Sequence, residues 1–266
     1  MNRVRIVEDP DYVMYHIELS KAAIKGARCA IVPGSPERAA AIASQLENPV
    51  RLAQHRGLEG WLGYLGEFPV VVQSTGMGGP STEIVIQELM MLGIDVLLRV
   101  GTTGSIQPEI PVGTVIISEA AVRLDGSSDH YAPKEYPAAA DVALTYNLIE
   151  GAKTAGAQWA SGVTASSATF YAGQERYDNA AGYVPRHMQG TLEDWQNLNV
   201  LNYEMEAGAL FTIARASGVR SGCVCGAIAH RVGGEAPHRD KIAETEQKAI
   251  DVALAGLRTF LPTLKD

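Results

Sequence analysis

The chain has 266 residues, 46% of them hydrophobic and 20% charged, and a formal net charge of −8. That length suits a single α/β domain with a sizeable core. The acidic balance argues against a nucleic-acid or anionic-membrane partner, so any phosphate site must be a local cluster of arginines. The three cysteines, Cys29, Cys223 and Cys225, are an odd count that suits buried thiols better than a disulfide framework. Cys223 and Cys225 lie two apart on an expected strand and so face the same way, without the companions that a metal site needs. Met1 to Pro10 has no apolar run after its charges, and no stretch approaches the ~18 apolar residues of a membrane span. The expectation is a cytoplasmic protein.

Residues 1–14 read as an irregular extension and residues 15–266 as one domain. Cys29 to Val32 is a short apolar strand that runs into Pro33-Gly34. Pro36 to Leu46 is an Ala-rich helix, with Ser35 as N-cap and Pro36 at the first helical position. Val50 to Arg56 and Val70 to Ser74 read as strands, and Ser81 to Leu92 as a helix. Val96 to Val100 is a buried strand ending at Gly101, and Thr114 to Arg123 is a longer β-rich run. Asp141 caps a helix to Ala155, followed by a strand from Trp159 to Ala165. A helix from Glu206 to Ser217, a strand from Arg220 to Ile228 and a helix from Lys241 to Phe260 close the chain. This alternation predicts an α/β domain with a central, largely parallel or mixed β-sheet flanked by helices. The polar segments Tyr177 to Gln189 and Val232 to Asp240 are expected to be flaps over a site.

In a sheet of this kind ligands bind beyond the carboxyl ends of the strands, and the chemically promising residues fall there. Gly34-Ser35-Pro36-Glu37-Arg38 is a turn into a helix start, suited to an oxyanion, and Arg38 and Arg99 add bidentate charge. Thr102 adds a hydroxyl. No Gly-Lys-Ser/Thr follows, which excludes a Walker phosphate loop, and Gly76-Met77-Gly78-Gly79 is only weakly like a dinucleotide fingerprint. Phe170 to Arg176 carries an aromatic ring, the Gln174 carboxamide and the Arg176 guanidinium on one loop. A planar imide such as uracil needs those groups: a face to stack on, a donor with an acceptor, and a fixed cation for a carbonyl that gains charge.

The runs Ala30 to Arg38, Ser74 to Thr82, Leu98 to Gly104, Gly173 to Arg176 and Asn202-Tyr203-Glu204-Met205-Glu206 stand in one order and spacing. Together they resemble the nucleoside phosphorylase family, and the Gln174/Arg176 loop resembles its uridine-cleaving branch. The resemblance covers roughly Tyr15 to the C-terminus. It implies a transferase that carries out reversible phosphorolysis of uridine to uracil and α-D-ribose 1-phosphate, in pyrimidine salvage. It also implies phosphate on Gly34, Arg38, Arg99 and Thr102, with Arg56 supplied by a neighbouring subunit. Ribose would be held by Met205 and Glu206, with His16 reaching across from that neighbour. The base would be held by Phe170, Gln174, Arg176, Ile228 and Arg231. Arg176, Gln174, Glu206 and Arg99 would be the catalytic set. No cofactor is implied beyond phosphate as co-substrate. The expected assembly is a homo-oligomer with a dimer as its catalytic unit and three dimers in a hexamer.

Two positions depart from the branch. An acidic residue that helps to hold a potassium ion between subunits is replaced by Gly57, and Glu59 could substitute only through a remodelled loop. Val-Asn is commoner where this chain has Ala229-His230. The purine enzymes of the family carry an aspartate near here to protonate the purine N7. This chain has no acid between Cys225 and Gly234 and has Arg231 instead. The missing aspartate and the intact arginine cluster weigh against the nearest rival reading, a purine nucleoside phosphorylase or a nucleosidase on the same fold. A non-catalytic nucleoside-binding protein would be expected to have lost some of these groups. A dinucleotide-dependent oxidoreductase is more distant.

Overall fold

The computed structural model describes residues 4–232 and 238–264. The strands are β1 (Cys29–Ile31), β2 (Glu47–His55), β3 (Leu58–Leu65), β4 (Phe68–Gln73), β5 (Val96–Ser105), β6 (Val115–Leu124), β7 (Ala138–Ala139), β8 (Trp159–Ser167), β9 (Val200–Glu204) and β10 (Arg220–His230). The helices are α1 (Pro36–Ala43), α2 (Gly79–Met91), α3 (Val142–Thr154), α4 (Thr191–Asn197), α5 (Ala207–Ser217) and α6 (Ile242–Phe260).

The caps expected from sequence form. The Ser35 side chain accepts from the Arg38 N–H with Pro36 at the helix start, and the Asp141 side chain accepts from the Leu144 N–H. The strands make one ten-stranded sheet in the order β10-β6-β8-β9-β5-β1-β4-β3-β2, with β7 on β6. It is mixed. β1 pairs in parallel with β4 and β5, β5 with β10, and β8 with β6 and β9, whereas β2, β3 and β4 form antiparallel hairpins. The additional β10–β5 pairing closes β5, β9, β8, β6 and β10 into a ring.

Strand alternation splits the core into two layers. Ala30, Val32, Leu97, Cys223 and Cys225 pack with α2 and α5 on one face. Cys29, Ile31, Val96, Leu98 and Val224 pack with α3, α6 and α1 on the other. Cys223 and Cys225 do face the same way, with sulfurs 3.7 Å apart, and all three cysteines are free and buried. Burial pushes the Cys29 thiol far up.

The described residues 4–28 lack regular helix or strand, and Val7 donates its N–H to the Met91 carbonyl oxygen at 2.9 Å. Residues 1–3 of the expected extension lie outside the described residues, as do residues 233–237 of the second expected flap. The first flap segment, 177–189, is irregular with one short turn of 3-10 helix at Arg186–Met188. Among the described residues no helix is long and apolar enough to cross a membrane.

Candidate active site

A cleft of about 460 Å³ opens at the carboxyl ends of β1, β5, β8 and β10. It gathers most of the residues marked in the sequence: Gly34, Arg38, Arg99, Thr102, Phe170, Gln174, Arg176, Met205, Glu206 and Ile228. β5 runs on past Gly101 to Ser105, so Thr102 projects from inside a strand rather than from the loop beyond it.

One end of the cleft is cationic. Gly34 packs so closely on the next loop that an added Cβ would lie 3.4 Å from the Gly76 carbonyl oxygen, and Gly34 accepts the Gly76 N–H at 2.9 Å. Gly76 itself has φ +74°, a backbone state natural to glycine. Behind this turn Arg38 lays Nη2 on Glu246 Oε1 at 2.6 Å and on Thr102 Oγ1 at 3.4 Å. Its Nε is buried without a partner among the described residues.

Arg99 joins that end to the carboxylates of the β9–α5 corner. Its Nε donates to Glu204 Oε2 at 3.0 Å and its Nη2 to Glu206 Oε2 at 2.6 Å, while Nη1 is buried without a partner among the described residues. Burial works against the charged guanidinium. Glu206 first, then the Cys225 thiol and Glu204, outweigh that, and Arg99 is held charged well above the usual arginine range.

Glu206 stands at the N-terminus of α5, yet its side chain makes no capping bond. Its Oε1 instead accepts the Gly78 N–H at 2.5 Å. The cap comes from Glu204, which accepts from the N–H groups of Glu206 at 2.8 Å and of Ala207 at 3.0 and 2.9 Å. Burial raises the Glu204 pKa, opposed by Arg99. Capping by Glu204 frees Glu206 to face the cleft.

The other end is built on the loop after β8. Glu175 sits at φ +52°, and this single left-handed residue lets its neighbours Gln174 and Arg176 both line the cleft. The Glu175 carboxylate turns outward and accepts from the N–H groups of Gly190 at 2.6 Å and Leu192 at 2.7 Å, tying the loop to the start of α4. The Arg176 guanidinium lies 4.2 Å from the Phe170 ring centroid, and its Nε reaches Gln174 Oε1 at 3.4 Å. One side of the Phe170 ring is therefore covered by Arg176. Tyr203 closes the floor, and burial pushes its phenol up to about 12.

Three expected site residues lie off this cleft wall. Arg231 is buried behind the loop after β8 rather than in the cleft. It gives Nη1 to the Gln174 carbonyl oxygen at 2.6 Å and lies over the Tyr203 ring, with 5.5 Å to the centroid. His16 holds Glu88 Oε1 through Nδ1 at 2.6 Å. Arg56 gives Nη2 to the Tyr15 hydroxyl at 2.8 Å. Tyr15 also meets the His16 ring edge-on at 4.9 Å, so His16 and Arg56 form one cluster outside their own chain's cleft.

Sequence reasoning singled out neither Glu204, Gly78 nor Glu246. The Glu-Met-Glu run was a readable signal for the first. Nothing in sequence marks Glu246, which meets Arg38 across 208 positions.

A potassium ion near Gly57 does not fit the residues present. Arg56 and Gly57 have φ of +52° and +75° and form the two-residue turn between β2 and β3, a conformation that suits Gly57 and brings no carboxylate. Glu59 is buried and already takes Arg51 Nη1 at 3.1 Å.

The cleft thus pairs a cationic end with an end built from an aromatic ring, a carboxamide and a guanidinium. The phosphorylase superfamily model matches residues 28–262, and the chain belongs to that superfamily. It is similar to the uridine phosphorylase of Haemophilus influenzae, 51% identical over 248 residues, which cover 93% of this chain and 98% of the relative. The uridine phosphorylase of Escherichia coli is 48% identical over the same shares of the two chains. A guanosine phosphorylase of Halorubrum lacusprofundi is 30% identical over 87% of this chain and 90% of its own.

Proposed function

We propose that this chain is a pentosyltransferase catalysing the reversible phosphorolysis of uridine to uracil and α-D-ribose 1-phosphate. The observation that carries the reading is one cleft with two chemically distinct ends, joined through Arg99 and Glu206. Similarity to uridine phosphorylases at 48–51% identity supports it.

Phosphate lies at Gly34, Arg38, Arg99 and Thr102, where Arg38 Nε and Arg99 Nη1 have donors to give it. Glu206 accepts from the ribose hydroxyls beside Met205, and its bond to Arg99 fixes the sugar relative to the phosphate. As the N1–C1′ bond stretches, the ribosyl group gains oxocarbenium character. A phosphate oxygen forms the new bond to C1′, and the electron pair of the old bond leaves on uracil. Arg176 and Gln174 take up the charge that gathers on the uracil carbonyls. Arginine is a poor acid, so its part is electrostatic. Arg231 acts by holding the loop. Uracil then takes its proton from water. No protein nucleophile and no metal ion enters a step.

His16 and Arg56 serve the cleft of a neighbouring copy, which makes a dimer the catalytic unit; the resemblance to the family adds three such dimers in a hexamer. Free buried thiols suit a reducing compartment such as the cytoplasm.

Uracil release from uridine is to be measured with and without phosphate, beside inosine and thymidine. The reading requires phosphate-dependent release and preference for the pyrimidine. Equal release in phosphate-free buffer would make the chain a hydrolase, and preference for inosine would make it a purine enzyme.

A further inference from the structure

The Arg38 guanidinium is nearly buried, with its side chain 11% exposed. Burying a cation in a cleft wall is costly unless a counter-charge accompanies it. That counter-charge comes from the second turn of α6: Glu246 Oε1 lies 2.6 Å from Arg38 Nη2. A second link ties α6 to the turn just after α1, where Gln45 Nε2 donates to Gln247 Oε1 at 3.1 Å. Glu246 does not line the cleft, whereas Arg38 does. The carboxylate therefore grips the guanidinium from behind and leaves Nε without a partner among the described residues. Thr102 Oγ1, 3.4 Å from the same Nη2, completes the cradle.

We infer that Glu246 is a positioning residue that sets the affinity of the cleft for phosphate, by orienting Arg38 and by offsetting its charge. The inference rests on the assignment of Arg38 to the phosphate end. The two effects oppose each other. Orientation favours binding, because a fixed fork loses less freedom when an anion arrives. The negative charge of Glu246 weakens binding, because a dianion in front of Arg38 is repelled by a carboxylate behind it. The balance gives a phosphate end that is organised before its ligand arrives and still releases it. Release matters on both sides of a reversible reaction, since ribose 1-phosphate carries the same anionic group.

Two substitutions separate the effects. Glu246→Gln keeps a carbonyl oxygen for Arg38 Nη2 and removes the charge. Glu246→Leu removes both. The measurement is KM for phosphate at saturating uridine and KM for uridine at saturating phosphate, with thermal melting as a check on folding. Glu246→Gln is expected to lower the phosphate KM roughly three- to tenfold, the effect of one partly screened charge. Glu246→Leu is expected to show a phosphate KM at least about threefold above that of the Gln variant, through lost orientation. The uridine KM stays put in both. A phosphate KM unchanged in both variants, or a uridine KM that moves as far, would overturn the inference. Arg38→Ala is the control: if it leaves the phosphate KM unaltered, the assignment of the phosphate end fails, and this inference with it.

Discussion

Arg231 donates Nη1 to the carbonyl oxygen of Gln174 at 2.6 Å, so a residue at the end of β10 holds the backbone of the loop after β8. A side chain at the base end is thus aimed by a cation that does not line the cleft. Arg231→Ala is expected to raise the uridine KM roughly tenfold, through loss of a charged hydrogen bond of about 1.5–3 kcal/mol. The phosphate KM should not follow. Steady-state kinetics in both substrates decides it, and equal rises in both constants would mean general loosening of the fold.

Arg176→Lys should damage turnover more than affinity. Lysine keeps the charge but loses the planar fork and the stacking over Phe170. The interaction strengthens as uracil gains charge, so the loss belongs on kcat. A raised KM with unchanged kcat would show that Arg176 binds the base without stabilising its departure.

Glu206→Gln should cut kcat by at least about a hundredfold, because it weakens both the Arg99 pair and the acceptance of ribose hydroxyls. Circular dichroism should show an intact fold, since Glu204 rather than Glu206 caps α5. Wild-type turnover in the folded variant would make Glu206 a structural residue only.

Mixing chains that carry Arg56→Ala with chains that carry Arg176→Ala should restore activity. Arg56 lies beside Tyr15, outside its own cleft, whereas Arg176 lines it. A mixed dimer then holds one site with both defects and one with neither. Co-refolded mixtures assayed against each parent give the answer, and no recovery would defeat the shared site.

Exchange of potassium for sodium in the assay should leave the rate unchanged. Gly57 offers no carboxylate and Glu59 is engaged by Arg51. A potassium-specific activation would show that other oxygen ligands hold the ion.

Much of the fold was legible because its signals are local. Ser35-Pro36 and Asp141 announce helix starts through their own side chains. β3 was not legible: Gly60 and Gly63 interrupt its apolar pattern, and what they accommodate, the Gln73 side chain and Leu46, lies elsewhere in the chain. The ring closed by β10 and β5 was hidden for the same reason, since pairing across 124 positions has no signature in either strand. In the site, the arginines and Gln174 could be read from residue type and spacing. Their supports could not. Glu246 and the carbonyl of Gln174 act through partners that only folding brings near, and Glu204 was signalled by no more than the Glu-Met-Glu run.

The parallel pairing of β5 with β10 has one more consequence. Arg99 and Thr102 stand on one strand and Ile228 on the other, in a register that sets Cys223 beside Arg99 and Gly226 beside Thr102. The span from Arg99 to Ile228 is thereby set by the backbone repeat, about 3.3 Å per residue. Deleting one residue from either strand would move one end by a full step and turn its side chains to the opposite face.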